Sequence, residues 1–377
     1  MTTSETEVSA SVRRGGHGRL RILHVIIMLG ETNGQYNEHC LPLIGTRDLA
    51  ICTYFRPQLE APAEIAVFPG NDTLRGFFRA FGAALESAEH DIVHVHAPQT
   101  GALVTLALAL HPSRWRLRRR LVYTVQDAYH DYSPRNKLLM LPAIAASGRV
   151  IFCGRAAYES YPALWRRLVG KRHRIVQNAA DLERVDRAIA GRSDVRNGRG
   201  FDVVSVGRLE KVKDPLTLLR AFERVPGDES RLAFVGAGSL EADVAGAISS
   251  AGLRDRVELT GLIPRDDVFT RCADASLFVS ASHGEGLPVA VIEAMATGCP
   301  VVLSDIPPHR EVAEGLGEVP FVRPVDVEGF AREIDRFRSM PEAERVAIGQ
   351  RCRELVRSRF GLPTMHAGVE RVYREIR

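Results

Sequence analysis

The chain has 377 residues, of which 45% are hydrophobic and 25% charged, with a formal net charge of +4. This length fits about two domains, and the composition excludes global disorder, a collagen-like repeat and a disulfide-stapled miniprotein. The charge is unevenly spread. Residues 1–180 hold 22 Lys and Arg against 14 Asp and Glu, and the remainder holds 28 against 32, so the front half is expected to meet an anionic partner.

Residues 1–19 are polar, lack an apolar h-region and read as a flexible tail rather than a signal peptide. Arg21–Leu29 (RILHVIIML) then opens a series of short apolar runs, continued by Asp91–His96, Leu121–Val125 and Val150–Cys153. A helical-period stretch at Leu74–Ser87 lies between them, and the alternation predicts βαβ units with a parallel sheet. The most apolar stretch, Ala102–Leu110, is shorter than the ~18 residues a membrane-spanning helix needs. The Gly/Arg-rich segment 191–200 reads as a linker. Beyond it strands are predicted at Asp202–Val206, Arg231–Val235, Arg256–Leu259, Ser276–Ser280 and Pro300–Ser304. Helices are predicted at Pro215–Val225, Leu240–Ala251, Asp266–Ala273 and Pro288–Thr297, with a last one at Met365–Ile376.

The expected architecture is α/β: two Rossmann-like, doubly wound domains, 20–190 and 201–360, facing an interdomain cleft. A C-terminal helix within 361–377 returns towards the first domain. Ligands of open α/β sheets bind beyond the carboxyl ends of the strands.

Two segments carry chemistry. Gly284–Pro300 (GEGLPVAVIEAMATGCP) sets Glu285 and Glu293 eight residues apart. Pro288 suits the first helical position and Gly298 the helix end. Glu285 then falls in the loop before the helix and Glu293 within it. Free N–H groups at the helix start attract anions, and carboxylates accept paired hydrogen bonds from a vicinal diol. Gly207–Asp214 (GRLEKVKD) directly follows a strand and places Arg208 and Lys213 five apart, two cations fit to clamp a diphosphate. Lys211 is the weaker alternative on spacing.

Together these segments resemble the retaining glycosyltransferases of family 4 (glycosyl transferases group 1), which have the GT-B fold. The E-x7-E element matches Glu285 and Glu293, and the G-R-L-x3-K element matches Gly207, Arg208, Leu209 and Lys213. The segments VGAGSLEADV (Val235–Val244) and NAADLERV (Asn178–Val185) follow the family's pattern. The resemblance implies that Arg208, Lys213 and Glu285 are catalytic, with Arg208 and Lys213 holding the donor diphosphate and Glu285 contacting the donor sugar. It implies donor contacts from Gly207, from the backbone at Gly286 and Leu287, and from Glu293 to the ribose hydroxyls. The family's glycine-rich loop after the first strand corresponds to Gly30–Tyr36, with Gly30 and Gly34 but no Gly-Gly pair. Many relatives place a histidine after the strand matched by Leu121–Val125, where this chain has Gln126 and then Asp127.

Acceptor contacts are expected from His96, Gln126, Asp127 and Tyr129. His94 and His96 share one strand face, but a metal reading needs a third ligand that the sequence does not identify, and no metal or other cofactor is expected. The run Ser113–Arg120 (SRWRLRRR) interleaves arginine with Trp115 and Leu117 and suits an anionic membrane surface. No nucleic-acid module accompanies it.

The implied activity is transfer of a sugar from a nucleotide-sugar donor to a glycan, lipid-linked or small-molecule acceptor. Six scattered cysteines without a C-x-x-C pair fit a reducing compartment, so a cytoplasmic or peripheral membrane location is expected. Two other readings stay open: a non-catalytic nucleotide-sugar-binding partner, and a dinucleotide-dependent oxidoreductase or epimerase. Against the second, the Gly236-Ala237-Gly238 turn lacks the third fingerprint glycine, because position 241 is Glu.

Overall fold

The computed structural model of the protein describes residues 19–30, 33–190, 200–227 and 229–376. The expected tail up to residue 18 and the linker segment 191–199 lie outside the described residues.

The first sheet has seven strands: β1 (Arg21–Ile26), β2 (Asp48–Thr53), β3 (Ile65–Pro69), β4 (Ile92–His96), β5 (Leu121–Val125), β6 (Arg149–Phe152) and β7 (His173–Ile175), in the order β3-β2-β1-β4-β5-β6-β7. Every residue of β4 and β5 is buried. This accounts for their unbroken apolar runs, since a parallel sheet is covered on both faces. The second sheet has six strands: β8 (Asp202–Val206), β9 (Arg231–Val235), β10 (Val257–Gly261), β11 (Leu277–Ser280), β12 (Val301–Ser304) and β13 (Phe321–Val322), in the order β10-β9-β8-β11-β12-β13. Its pairings are parallel throughout.

By their internal contacts the residues form two compact units. One comprises the described residues up to Tyr123 with Leu139–Gly148 and Ile376, and the other comprises the described residues of Thr124–Leu138 and Arg149–Glu375. The second unit holds a large apolar core in which Phe222, Phe234, Phe278, Phe330 and Phe337 are fully buried.

Helices lie at Pro215–Glu223, Glu241–Ser250, Arg265–Asp274 and Val289–Ala296, each end within two residues of expectation. One local expectation is corrected. Pro288 is the N-cap of the last of these helices rather than its first residue, with extended ψ of 95°. Gly298 ends that helix at φ +81°, a left-handed conformation that costs glycine little. The C-terminal helix spans Leu362–Arg374. Just past its end, Glu375 accepts from Arg149 Nε at 2.7 Å and Arg174 Nε at 2.9 Å, on β6 and β7. Among the described residues, no helix is long and apolar enough to cross a membrane. All six cysteines are free and buried.

Candidate active site

In the second sheet the strand order reverses between β8 and β11, which pair directly through Val203 with Leu277 and Val204 with Phe278. Loops leaving these two strands at their carboxyl ends are therefore neighbours, at the place where open α/β sheets bind ligands. Those loops are Gly207–Asp214 and Ala281–Pro288, the two segments that the sequence marks.

Three contacts join them. Lys213 Nζ donates to Glu285 Oε1 at 2.5 Å. His283 N donates to the Val212 carbonyl at 2.8 Å. His283 Nε2 lies 2.8 Å from Asp214 Oδ2. Asp214 also caps the helix Pro215–Glu223 by accepting from Thr217 N at 3.2 Å, and it does so at φ +46°, a strained conformation for a non-glycine residue. Lys211, the alternative lysine, is exposed.

Glu285 is nearly enclosed, with its side chain 11% exposed. Burial alone raises its pKa. Attraction to Lys213, with hydrogen bonds from Lys213 and Ser282, outweighs that cost and leaves the carboxyl below its ordinary value. His309 is fully buried; its Nδ1 lies 2.9 Å from the Ser304 carbonyl, and burial lowers its pKa to about 4. It is thus a neutral ring behind the site.

A second acidic group faces Glu285. Asp127 stays open to solvent although protein crowds its carboxylate. That crowding raises its pKa, as do Asp131 and Glu285, while Arg208 and Lys213 oppose the rise. The pKa of Asp131 is raised too, first by burial. Its Oδ2 is buried and has no hydrogen-bond partner among the described residues, an acceptor oxygen suited to a hydroxyl donor. Gly286 lies so close to the Gln126 carbonyl that a Cβ there collides with it. The loop after β5 and the loop after β11 therefore touch backbone to backbone. Gln126 N and Asp127 N both point at the Tyr132 hydroxyl, at 3.3 and 3.2 Å. Arg208 is exposed on the same loop as Lys213.

Glu293 is 8% exposed in the helix after Pro288 and is held by Arg265, whose Nε lies 3.1 Å from Oε1. Arg265 was not expected from sequence. It is the first residue of the helix Arg265–Asp274, and its spacing from Glu293 follows no local period. Asp214, His283, Ser282 and His309 were missed for the same reason. Leu287 is buried, and its carbonyl accepts from Asn178 Nδ2 at 3.4 Å. Gly207 packs against the Lys213 stem, and a Cβ on Gly236 collides with the Gly207 carbonyl. The VGAG turn is thus a close-packed βα turn against the cationic loop.

The remaining expected residues divide differently. Tyr129 is half-buried in an aromatic group, its ring 5.1 Å from that of Tyr161 and 5.4 Å from that of Trp165, with Lys137 Nζ 4.5 Å above it. Gly30 and Gly34 belong to the first unit. Gly34 begins a short helix, Gly34–His39, capped by Asn33. His96 is corrected. It is 1% exposed and enclosed with His24, His94 and His39, because its side of β4 is covered, so its ring is not presented to an acceptor. The basic run Ser113–Arg120 lies in a 3-10 helix, Pro112–Arg120, in which Arg114 and Arg120 pair with Glu86 and Glu89.

Residues 188–354 match the family model described as glycosyl transferases group 1. A curated relative is 31% identical over 171 residues, 45% of this chain and 42% of its own length. It is an N-acetylgalactosamine-N,N'-diacetylbacillosaminyl-diphospho-undecaprenol 4-alpha-N-acetylgalactosaminyltransferase of Campylobacter jejuni. The match thus spans under half of that relative. Among solved structures, sucrose-phosphate synthase from Thermosynechococcus elongatus superposes with a TM-score of 0.74 at 19% identity, covering 95% of this chain and 99% of the other. HepE from Anabaena, in complex with UDP and glucose, gives 0.73 at 17% identity, covering 95% and 100%. These likenesses establish the fold, the GT-B arrangement of two parallel α/β sheets.

Proposed function

We propose that the protein is a retaining glycosyltransferase that moves a sugar from a nucleotide-sugar donor to an acceptor hydroxyl without a metal. The observation that carries this reading is the Lys213–Glu285 pair at the β8/β11 switch point, 2.5 Å apart and flanked by Asp127, Asp131 and Arg208. Lys213 and Arg208 meet the diphosphate and offset the charge it gains as it leaves. Glu285 and the backbone of Gly286 and Leu287 hold the sugar, and Glu293 takes the ribose hydroxyls. The bond from the anomeric carbon to the diphosphate breaks, and a new bond to the acceptor oxygen forms on the same face. The acceptor proton passes to the departing diphosphate oxygen. No protein base is required, so Gln126 in place of histidine is compatible with the step, and the chain's contribution is positioning and electrostatics.

A lipid-linked diphosphate is the favoured acceptor class. The Campylobacter relative carries such an acceptor in its name. Here the first unit presents Leu106, Leu110 and Trp115 at 48, 64 and 38% exposure beside exposed Arg116, Arg118 and Arg119. Apolar side chains among arginines suit an anionic bilayer, so the protein works as a cytoplasmic, peripheral membrane enzyme.

Turnover of a panel of nucleotide sugars by the purified chain, supplied with a polyprenyl-diphosphate sugar and EDTA, tests the reading. Product with retained anomeric configuration is expected. Nucleotide-sugar binding with no transfer to any acceptor favours the non-catalytic partner instead.

A further inference from the structure

The first unit contains a group of histidines that glycosyl transfer does not use. Register pairs His24 of β1 with His94 of β4, and His96 stands two residues further along the same face. Their exposures are 0, 0 and 1%. One ring nitrogen from each lies within 4.8 Å of the other two. His24 Nδ1 and His96 Nε2 are 3.2 Å apart. Two nitrogens bound to one tetrahedral zinc at about 2.0–2.1 Å stand about 3.3 Å from each other. His39 adds a fourth ring, its centroid 5.1 Å from that of His96 and 5.9 Å from that of His94.

His96 Nδ1, buried in the group, has no hydrogen-bond partner among the described residues, so hydrogen bonding alone does not satisfy this ring. Packing also gives no simple reason to gather four imidazoles where aliphatic side chains would fill a parallel sheet. The sequence shows His94 and His96 but not the third ligand, because His24 lies 70 residues away and only the β1/β4 register brings it near.

We propose that His24, His94 and His96 form a binding site for one divalent cation of the zinc class, with His39 alongside. An all-imidazole donor set suits zinc, copper or nickel and disfavours magnesium and calcium. The cation is structural. It ties β1 to β4 at the first sheet's own switch point and takes no part in sugar transfer.

The test uses the full-length chain carrying no polyhistidine tag, purified from zinc-supplemented medium. Elemental analysis after gel filtration should find about one zinc per chain. Binding should fall at least five-fold in His94→Phe and in His96→Gln. Cobalt-exchanged wild-type protein should show the visible absorption of a four-coordinate nitrogen site. This cobalt signature reads the site even if a variant does not fold. Folded wild-type protein that takes up less than a tenth of an equivalent after equilibration with zinc overturns the proposal. So does a zinc content unchanged in folded variants.

Discussion

Lys213 Nζ reaches Glu285 Oε1 at 2.5 Å across 72 residues of sequence, between loops leaving adjacent parallel strands. Neither side chain is more than a quarter exposed, at 23 and 11%. Removing one partner leaves the other charge half-enclosed and uncompensated, which costs more than the pair contributes. Lys213→Ala is therefore expected to lower kcat by about 10²–10³-fold, the range for loss of one preorganised charge-stabilising group. Glu285→Gln should lower kcat as well, and the double variant should fall short of the product of the two losses because the residues act as a unit. Steady-state kinetics of the three variants measures this, and an unchanged kcat in Lys213→Ala rejects the leaving-group role.

Gly286 makes a second demand on the same loop. A methyl group there meets the Gln126 carbonyl, and backbone cannot rotate aside as a side chain can. Gly286→Ala should separate the loop after β11 from the loop after β5 and displace Glu285 relative to Asp127. The expected result is at least ten-fold lower kcat/KM with far-ultraviolet circular dichroism unchanged. Wild-type kinetics in this variant show that the approach of the two loops is not needed.

Much of this site was legible because its chemistry lies in short loops beside strongly patterned strands. The GEGLP and GRLEK segments announced themselves by glycine, proline and charge within a few residues of β11 and β8. The partners were not legible. Arg265, Asp214, His283 and His309 reach their neighbours through sheet order and register, and no local period encodes these. The same holds for His24. The edge strands β7 and β13 are three and two residues long, too short for an apolar pattern to stand out. His96 misled because strand alternation gives the face a side chain is on, not whether that face is covered.

His309 gives a pH dependence with a definite sign. Its pKa is about 4 in the folded chain against 6.5 for the free group, with burial the first cause. Between these values the unfolded chain binds more protons, so stability rises with pH across that window and the contribution is complete above about 6.5. At pH 5 the loss relative to pH 7 is on the order of 2 kcal/mol from this residue. Urea unfolding at the two pH values should show a smaller difference for His309→Gln than for the wild type. An equal difference in both proteins assigns the dependence elsewhere.

The C-terminal tether acts with the same sign in a lower window. Hydrogen bonds from Arg174 and then Arg149 hold the Glu375 carboxyl down at about 2 against 4.5 for the free group. A depressed carboxyl contributes above its unfolded value and loses that contribution as pH falls from about 4.5 towards 2. The pair is partly solvent-exposed, so screening keeps the effect modest. Glu375→Gln should raise amide exchange in Leu362–Arg374 at neutral pH, and the difference from wild type should shrink in acid. Equal exchange at neutral pH removes Glu375 from the anchoring of this helix.

Arg265 and Glu293 bear on nucleotide binding. Glu293 is 8% exposed inside the helix that starts at the donor loop, and Arg265 is its cation, approaching with two guanidinium nitrogens. Both nitrogens engage the same oxygen, Oε1, a two-point grip that a lysine's single ammonium cannot make. With Oε1 held, the second carboxylate oxygen is left for a ribose diol. Arg265→Lys should therefore preserve the fold but weaken donor affinity, by about 1–3 kcal/mol if the alignment of a buried hydrogen-bond acceptor is lost. Glu293→Gln should weaken it comparably, and the two changes together should be less than additive. Both should act mainly on KM, because ribose contacts are the same in ground and transition states. Calorimetry with the nucleoside diphosphate alone isolates this term from the sugar and acceptor. Full affinity in Glu293→Gln removes the ribose assignment, while a loss in Glu293→Gln that Arg265→Lys does not share shows that the carboxylate needs no aligning partner.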